Sequence, residues 1–256
     1  MSLPTWTPAA LSSELRPYKS AVWRLVEAQH YFSTMKLVDS LGEQDVLETL
    51  IEQTKPAYPV KCGALHYLFK TPFRYGAAYP SGSRFRRAGL TPGVYYASEE
   101  PRTAVAEMAF YRLLFFAESP QTPWPTNPSD YTRFSAALET RRMVDLTAPP
   151  LDRDAALWRR LTDYGPCQAL ADVARKADTE IVRYGSVRDA AGGSNAAVLS
   201  CAAFASVEPL EAQTWRIGVG ENGAYAIREF PPDRVEFGRA AFAADARIVP
   251  MRWERA

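Results

Sequence analysis

Histidine and cysteine are scarce in this sequence, which holds only His30, His66, Cys62, Cys167 and Cys201 among 256 residues. So few histidines argue against a His-rich metal site, and neither stands in an H-E-x-x-H or G-x-S-x-G context. No two cysteines have C-x-x-C or zinc-finger spacing. The odd, widely spaced set reads as buried thiols in a reducing compartment. Phosphate-binding glycine fingerprints are missing too: without G-x-G-x-x-G or G-K-[ST], a Rossmann or P-loop nucleotide site is unsupported. The longest apolar run, residues 196–205, falls well short of the roughly 18 residues needed to cross a bilayer. The first residues, Met1-Ser2-Leu3-Pro4-Thr5, lack a basic stretch followed by an apolar one, so the chain is expected to be cytoplasmic, without membrane contact. Charge of one sign is also lacking. Thirty Lys+Arg against 29 Asp+Glu leave a net charge of +1, which removes the broad basic field of a direct nucleic-acid binder. If the chain is an enzyme, carboxylate, hydroxyl, aromatic and arginine groups must do its chemistry.

What is abundant is core-forming material, with 47% hydrophobic and 12% aromatic residues. A chain of this length hides roughly 70–75% of its unfolded surface, so wholesale disorder is excluded. Residues 19 to about 54 carry Val22, Leu25, Val26, Leu37, Val38, Leu41, Val46, Leu47, Leu50 and Ile51 at spacings that predict helices, with Gly42 separating two of them. Lys55-Pro56-Ala57-Tyr58-Pro59 closes that region. Short β-like runs follow at Leu65–Phe69 and Val94–Ala97, broken by Pro72, Pro80, Gly82, Gly89, Pro92 and Gly93. A helix is predicted from Pro101 to Phe116, opened by proline in its first turn. The prolines at 120, 123, 125 and 128 make 119–130 a loop. Strands are expected at 143–146, 180–184 and 196–204, with a helix at 168–176. This order predicts an α+β fold, a compact mixed sheet with helices behind a helical N-terminal extension. The expected division is an extension over 1–60, a core domain over 61–220 and a C-terminal segment over 221–256 packed on that core.

Three clusters carry candidate chemistry. In Pro101–Phe116 every residue from Ala104 onward is apolar or aromatic except Glu107 and Arg112, so the helix should be buried and take Glu107 with it. No cation lies beside Glu107 on its own helix face, so either a distant arginine meets the carboxylate or it lines a cleft. Upstream, Phe73-Arg74-Tyr75 and Ser81-Gly82-Ser83-Arg84-Phe85-Arg86-Arg87 interleave arginine with aromatics beside a Gly/Ser turn. Such a stretch is either a solvated basic loop, as expected for Arg86 and Arg87, or a cradle for phosphate. The third cluster, residues 184–195, runs from a strand into a Gly-rich turn, with Tyr184, Ser186 and Arg188 on one face.

The order of Gly82-Ser83-Arg84-Phe85, Gly93-Val94-Tyr95-Tyr96-Ala97, Thr103-Ala104-Val105-Ala106-Glu107 and Tyr184-Gly185-Ser186-Val187-Arg188 with Gly192, Gly193 and Asn195 resembles the RES-domain family, named for an Arg, a Glu and a Ser. Val26–His30, Ser33–Leu37 and Thr71–Tyr75 resemble its longer members. The sequence departs from the family in Arg86, where a small polar residue is frequent, and Gly185, where proline is common. The resemblance implies a fold similar to ADP-ribosyltransferases and consumption of NAD, as a substrate with no resident cofactor and no metal. It implies Arg84, Glu107 and Ser186 as catalytic residues, Tyr96, Arg74, Tyr75 and Asn195 as substrate-binding ones, and an Xre-type antitoxin as partner, with a homodimer possible. The implied function is a hydrolase-type toxin that cleaves the nicotinamide–ribose bond with water or phosphate as acceptor. Transfer of ADP-ribose to protein, and a non-catalytic interaction module, are the alternatives.

Overall fold

The computed structural model describes residues 6–28, 34, 37–74, 82–89 and 91–255. A short helix, α1 (Pro8–Ser13), is capped by the Thr7 hydroxyl accepting from the Ala10 N–H and buries Leu11. Strand β1 (Arg16–Glu27) pairs antiparallel with β3 (Ser129–Asp145), from Arg16 opposite Met143 to Glu27 opposite Tyr131. Between them in sequence lie α2 (Leu41–Thr54), a 3-10 turn at Val60–Cys62, α3 (Tyr67–Lys70), a second 3-10 turn at Thr71–Phe73, β2 (Tyr95–Ser98) and α4 (Pro101–Glu118). After β3 come α5 (Ala155–Trp158), α6 (Gly165–Lys176), β4 (Ile181–Gly185), β5 (Ser194–Val198), β6 (Glu211–Gly220), β7 (Gly223–Arg228) and β8 (Asp233–Gly238).

The eight strands form one mixed sheet in the order β1-β2-β5-β4-β3-β6-β7-β8, and the additional β1–β3 pairing closes a circuit through the first five. Every pairing is antiparallel except β3 with β4. The fold is α+β with a mixed sheet, as expected. Three apolar clusters hold it. Helix α4 puts Val105, Ala109, Phe110 and Leu113 against Trp215, Ala226 and Phe237 of the β6–β8 end. A second cluster joins Phe69 and Phe73 to Tyr95 and Phe134, and a third packs α1 and α6 on β4 through Leu11, Leu170 and Val182. A fully buried side chain such as Phe110 contributes about 2–3 kcal/mol of transfer free energy.

Several local expectations need correction. The residues read as a helix from 19 onward are strand β1 up to Glu27. Val22, Leu25 and Val26 suit a helical spacing, but Tyr18, Val22, Trp23 and Val26 are also strand formers, and the long ladder with β3 decides. The N-terminal 60 residues are therefore not wholly helical, and β1 belongs to the central sheet. Gly42 sits in the first turn of α2, whose N-cap is Ser40, instead of separating two helices. Leu65–Phe69 is not a strand: its end is α3, where the His66 side chain caps the Leu68 N–H. The strand expected through Phe204 ends at Val198, and a 3-10 turn follows at Cys201–Ala203. That turn meets the one at Val60–Cys62, and Cys62 and Cys201 form a disulfide across 139 residues with Cα atoms 5.4 Å apart. The expectation of three separate thiols fails because topology, invisible in the spacing, brings two of them together; Cys167 alone is free and buried. No helix among the described residues is long and apolar enough to cross a membrane.

Candidate active site

Glu107 lies midway along α4 on the wall of a cavity of about 600 Å³, a size suited to a small-molecule ligand. Its Oε1 accepts two hydrogen bonds, from Ser186 Oγ at 2.8 Å and from Asn195 Nδ2 at 2.7 Å. Both donors are fixed from behind. Ser186 Oγ accepts the Arg188 and Asp189 N–H groups, each at 3.1 Å, so its own proton is directed to Glu107. The Asn195 Oδ1 accepts from Ser98 Oγ at 2.6 Å, which turns the amide nitrogen toward the carboxylate. The sheet registers Ser98 and Tyr184 on either side of Asn195 and so sets this relay. With Oε1 doubly bonded, Oε2 is the oxygen left for a ligand.

The turn bearing Ser186 is bolted to the helix bearing Glu107. Thr103, in the first turn of α4, donates to Asp189 Oδ2 at 2.6 Å, and the Ser186 N–H donates to the Gly193 carbonyl. Gly192 has φ +80°, and a Cβ on Gly193 would sit 2.0 Å from Thr103 Oγ1. Gly193→Ala must therefore displace the Thr103–Asp189 bond. It is expected to cost about 1–3 kcal/mol, measured as a lower denaturation midpoint.

Five arginines, Arg24, Arg84, Arg86, Arg188 and Arg247, line the cavity with Glu107. Arg84 Nη1 donates to the carbonyls of Trp158 at 2.7 Å and Arg160 at 3.0 Å, and the guanidinium stacks on Tyr164 at 4.9 Å. Tyr96 lines the cavity, and its hydroxyl is held by Ser83 Oγ at 2.8 Å and by the Phe85 N–H at 2.9 Å. Burial raises its pKa, and that of Tyr184 still further, with the charge of Glu107 adding to the latter. Both stay neutral phenols. Cys167 is buried behind Arg84, and burial pushes its thiol up, which disfavours the thiolate that nucleophilic attack needs.

Residues 57–219, more than half of the chain, match the model of the RES domain. This protein belongs to the RES-domain family. It is similar at 14% identity and a TM-score of 0.45 to a chain in the crystal structure of the M. tuberculosis MbcT–MbcA toxin–antitoxin complex, over 79% of this chain and 90% of that one. No curated protein matches the sequence.

Of the residues singled out in the sequence, the RES fold brings together Glu107, Ser186, Asn195, Arg84 and Tyr96. Ser186 is 1% exposed and its hydroxyl is spent on Glu107 and the turn, so it touches the carboxylate from behind the cavity wall. Arg74 is elsewhere: it forms a forked ion pair with Glu52, donates Nε to the Pro56 carbonyl and stacks on Tyr58 at 3.8 Å. Tyr75 lies outside the described residues. Arg86, read as solvated, is 7% exposed, donates Nε to the Thr91 carbonyl and lines the cavity, whereas Arg87 pairs with Asp172 at the surface. Sequence reading missed Ser98, Tyr111, Tyr164, Arg24 and Arg247. The last two lie outside the RES match. Arg24, on β1, donates to the Tyr96 carbonyl at 3.1 Å and packs over Tyr95. Burial lowers its pKa. One signal for it existed, an arginine inside Val22-Trp23-Arg24-Leu25-Val26, but the helical reading of that stretch hid it.

Proposed function

We propose that this RES-domain protein degrades NAD by cleaving the nicotinamide–ribose bond, with water or phosphate as acceptor, and serves as the toxin of a toxin–antitoxin pair neutralised by an Xre-type antitoxin. The observation that carries the catalytic part is a single carboxylate, with one oxygen held by Ser186 and Asn195 and the other open, on an otherwise arginine-rich cavity wall. Breaking the N-glycosidic bond sends its electron pair to the ring nitrogen, and nicotinamide leaves neutral. The ribose C1 becomes oxocarbenium-like, the situation glycosidases meet with carboxylates. Glu107 Oε2 would stabilise that charge and bond the ribose hydroxyls. Arg84 and Arg24 supply guanidinium groups for the diphosphate, and Tyr96 offers a ring for stacking. The leaving group needs no protonation, so the scarcity of histidine is no obstacle.

Incubating the pure protein with NAD labelled in its ADP-ribose half tests the reading. Free ADP-ribose or its phosphate supports it; label on protein points to ADP-ribosyl transfer, and unchanged NAD refutes catalysis. Expression of the active chain should arrest growth as cellular NAD falls, and co-expression of the antitoxin should relieve it.

Ser98 has a specific expectation here. Ser98→Ala frees the Asn195 amide to rotate, and loss of a neutral buried hydrogen bond is worth about 1 kcal/mol. The turnover number should fall by about five- to tenfold with KM little changed, and Ser98→Thr should restore most of it.

A further inference from the structure

The C-terminal residues beyond the RES match bring a cluster to the cavity that the proposed function does not use. Asp245 is 1% exposed and faces two guanidinium groups. Arg188 Nη1 donates to its Oδ2 at 2.7 Å, and Arg247 donates Nη2 to Oδ2 at 2.9 Å and Nε to Oδ1 at 3.0 Å. Both arginines also donate to the Leu161 carbonyl, at 3.0 and 3.4 Å. Phe110 lies beneath them, 3.6 Å from Arg188 and 5.4 Å from Arg247.

Two positive charges on one carboxylate leave the cluster with a net positive charge over an apolar floor, where it is poorly screened. Of the two, Arg247 is the accessible one, its side chain 30% exposed against 3% for Arg188, and it lines the cavity beside Tyr164. Asp245 grips its Nε side and orients the planar fork, which limits the rotamer freedom lost when an anion binds.

We infer that Arg247 is a substrate-binding residue that takes a phosphoryl oxygen of the dinucleotide, so that a segment outside the RES domain completes the site. The inference rests on the NAD reading above, and it assigns to the C-terminal segment a role in affinity that the family-matched residues do not contain.

The test is calorimetric titration of wild type and two variants, Arg247→Gln and Arg247→Lys, with ADP-ribose and with inorganic pyrophosphate, alongside NAD kinetics and thermal melts. A charge-assisted hydrogen bond predicts a roughly 10- to 100-fold loss of ADP-ribose affinity in Arg247→Gln. KM for NAD should rise in parallel, with the turnover number within about twofold of wild type. Arg247→Lys should recover part of the affinity. Unchanged ADP-ribose affinity in Arg247→Gln overturns the inference, as does a loss that tracks a lowered melting temperature and is not recovered by lysine. If wild type binds pyrophosphate through Arg247 but binds neither ADP-ribose nor NAD, the NAD reading falls while the anion site stands. If wild type binds none of the three, both fall.

Discussion

Glu107→Gln is expected to lower NAD turnover by roughly a hundred- to a thousandfold while the protein folds as before. The amide oxygen can take the place of Oε1 and still accept from Ser186 and Asn195, so the network behind the residue survives. The change falls on the other atom, where an NH2 donor replaces a negative oxygen at the point that would face the developing positive charge on ribose. Loss of one preorganised electrostatic group costs about 3–4 kcal/mol in a water-excluded site, and each 1.36 kcal/mol is a factor of ten in rate. Nicotinamide release at saturating NAD measures it. A fall of less than tenfold would mean that Glu107 is not the stabilising charge. Glu107→Ala should behave differently, because it leaves the Ser186 hydroxyl and the Asn195 amide buried without their acceptor, at about 1–3 kcal/mol of folding stability.

Glu107 was legible in the sequence because its context is chemically improbable, one carboxylate in an otherwise apolar stretch of helix with no cation on its face. Ser186, Asn195, Arg84 and Tyr96 were reachable because they lie in short motifs whose order resembles a known family. What escaped was whatever depends on pairing distant segments. Trp23 registers opposite Ser98, and that bridge places Arg24 at the cavity, but nothing local distinguishes this strand from a helix with the same apolar spacing. The Cys62–Cys201 bond and the burial of Arg86 are likewise products of topology. Arg74 shows the converse error. Its aromatic neighbours made it look like part of an anion cradle, but Glu52, at the end of α2, takes the charge instead, and no helix-periodicity argument identifies a partner so far along the chain.

The largest stability effect is expected at Asp245, far from any motif. Asp245→Asn keeps the shape but leaves Arg188, with a side chain 3% exposed, without a carboxylate, and breaking a buried pair in this way costs about 3–5 kcal/mol. In a chain of this size that corresponds to a fall in Tm of roughly 10 °C. Burial alone would raise the Asp245 carboxyl, but hydrogen bonds from the Arg247 side chain and backbone, with the charges of Arg188 and Arg247, outweigh it and hold the group below the ordinary aspartate range. Its contribution is therefore fully present above the ordinary aspartate range and is lost as pH falls through the lower folded value. Chemical denaturation of wild type and Asp245→Asn at neutral pH and again near pH 3 separates the possibilities. The gap between them should be several kcal/mol at neutral pH and shrink on acidification. An equal midpoint at neutral pH would show that the arginines need no counter-charge from the C-terminal segment. The same measurement bears on the cavity, because Asp245 anchors Arg188, whose own N–H helps orient Ser186, and through Ser186 the carboxylate of Glu107. A tail residue that stabilises the fold would thereby also set the position of the charge on which the proposed chemistry depends.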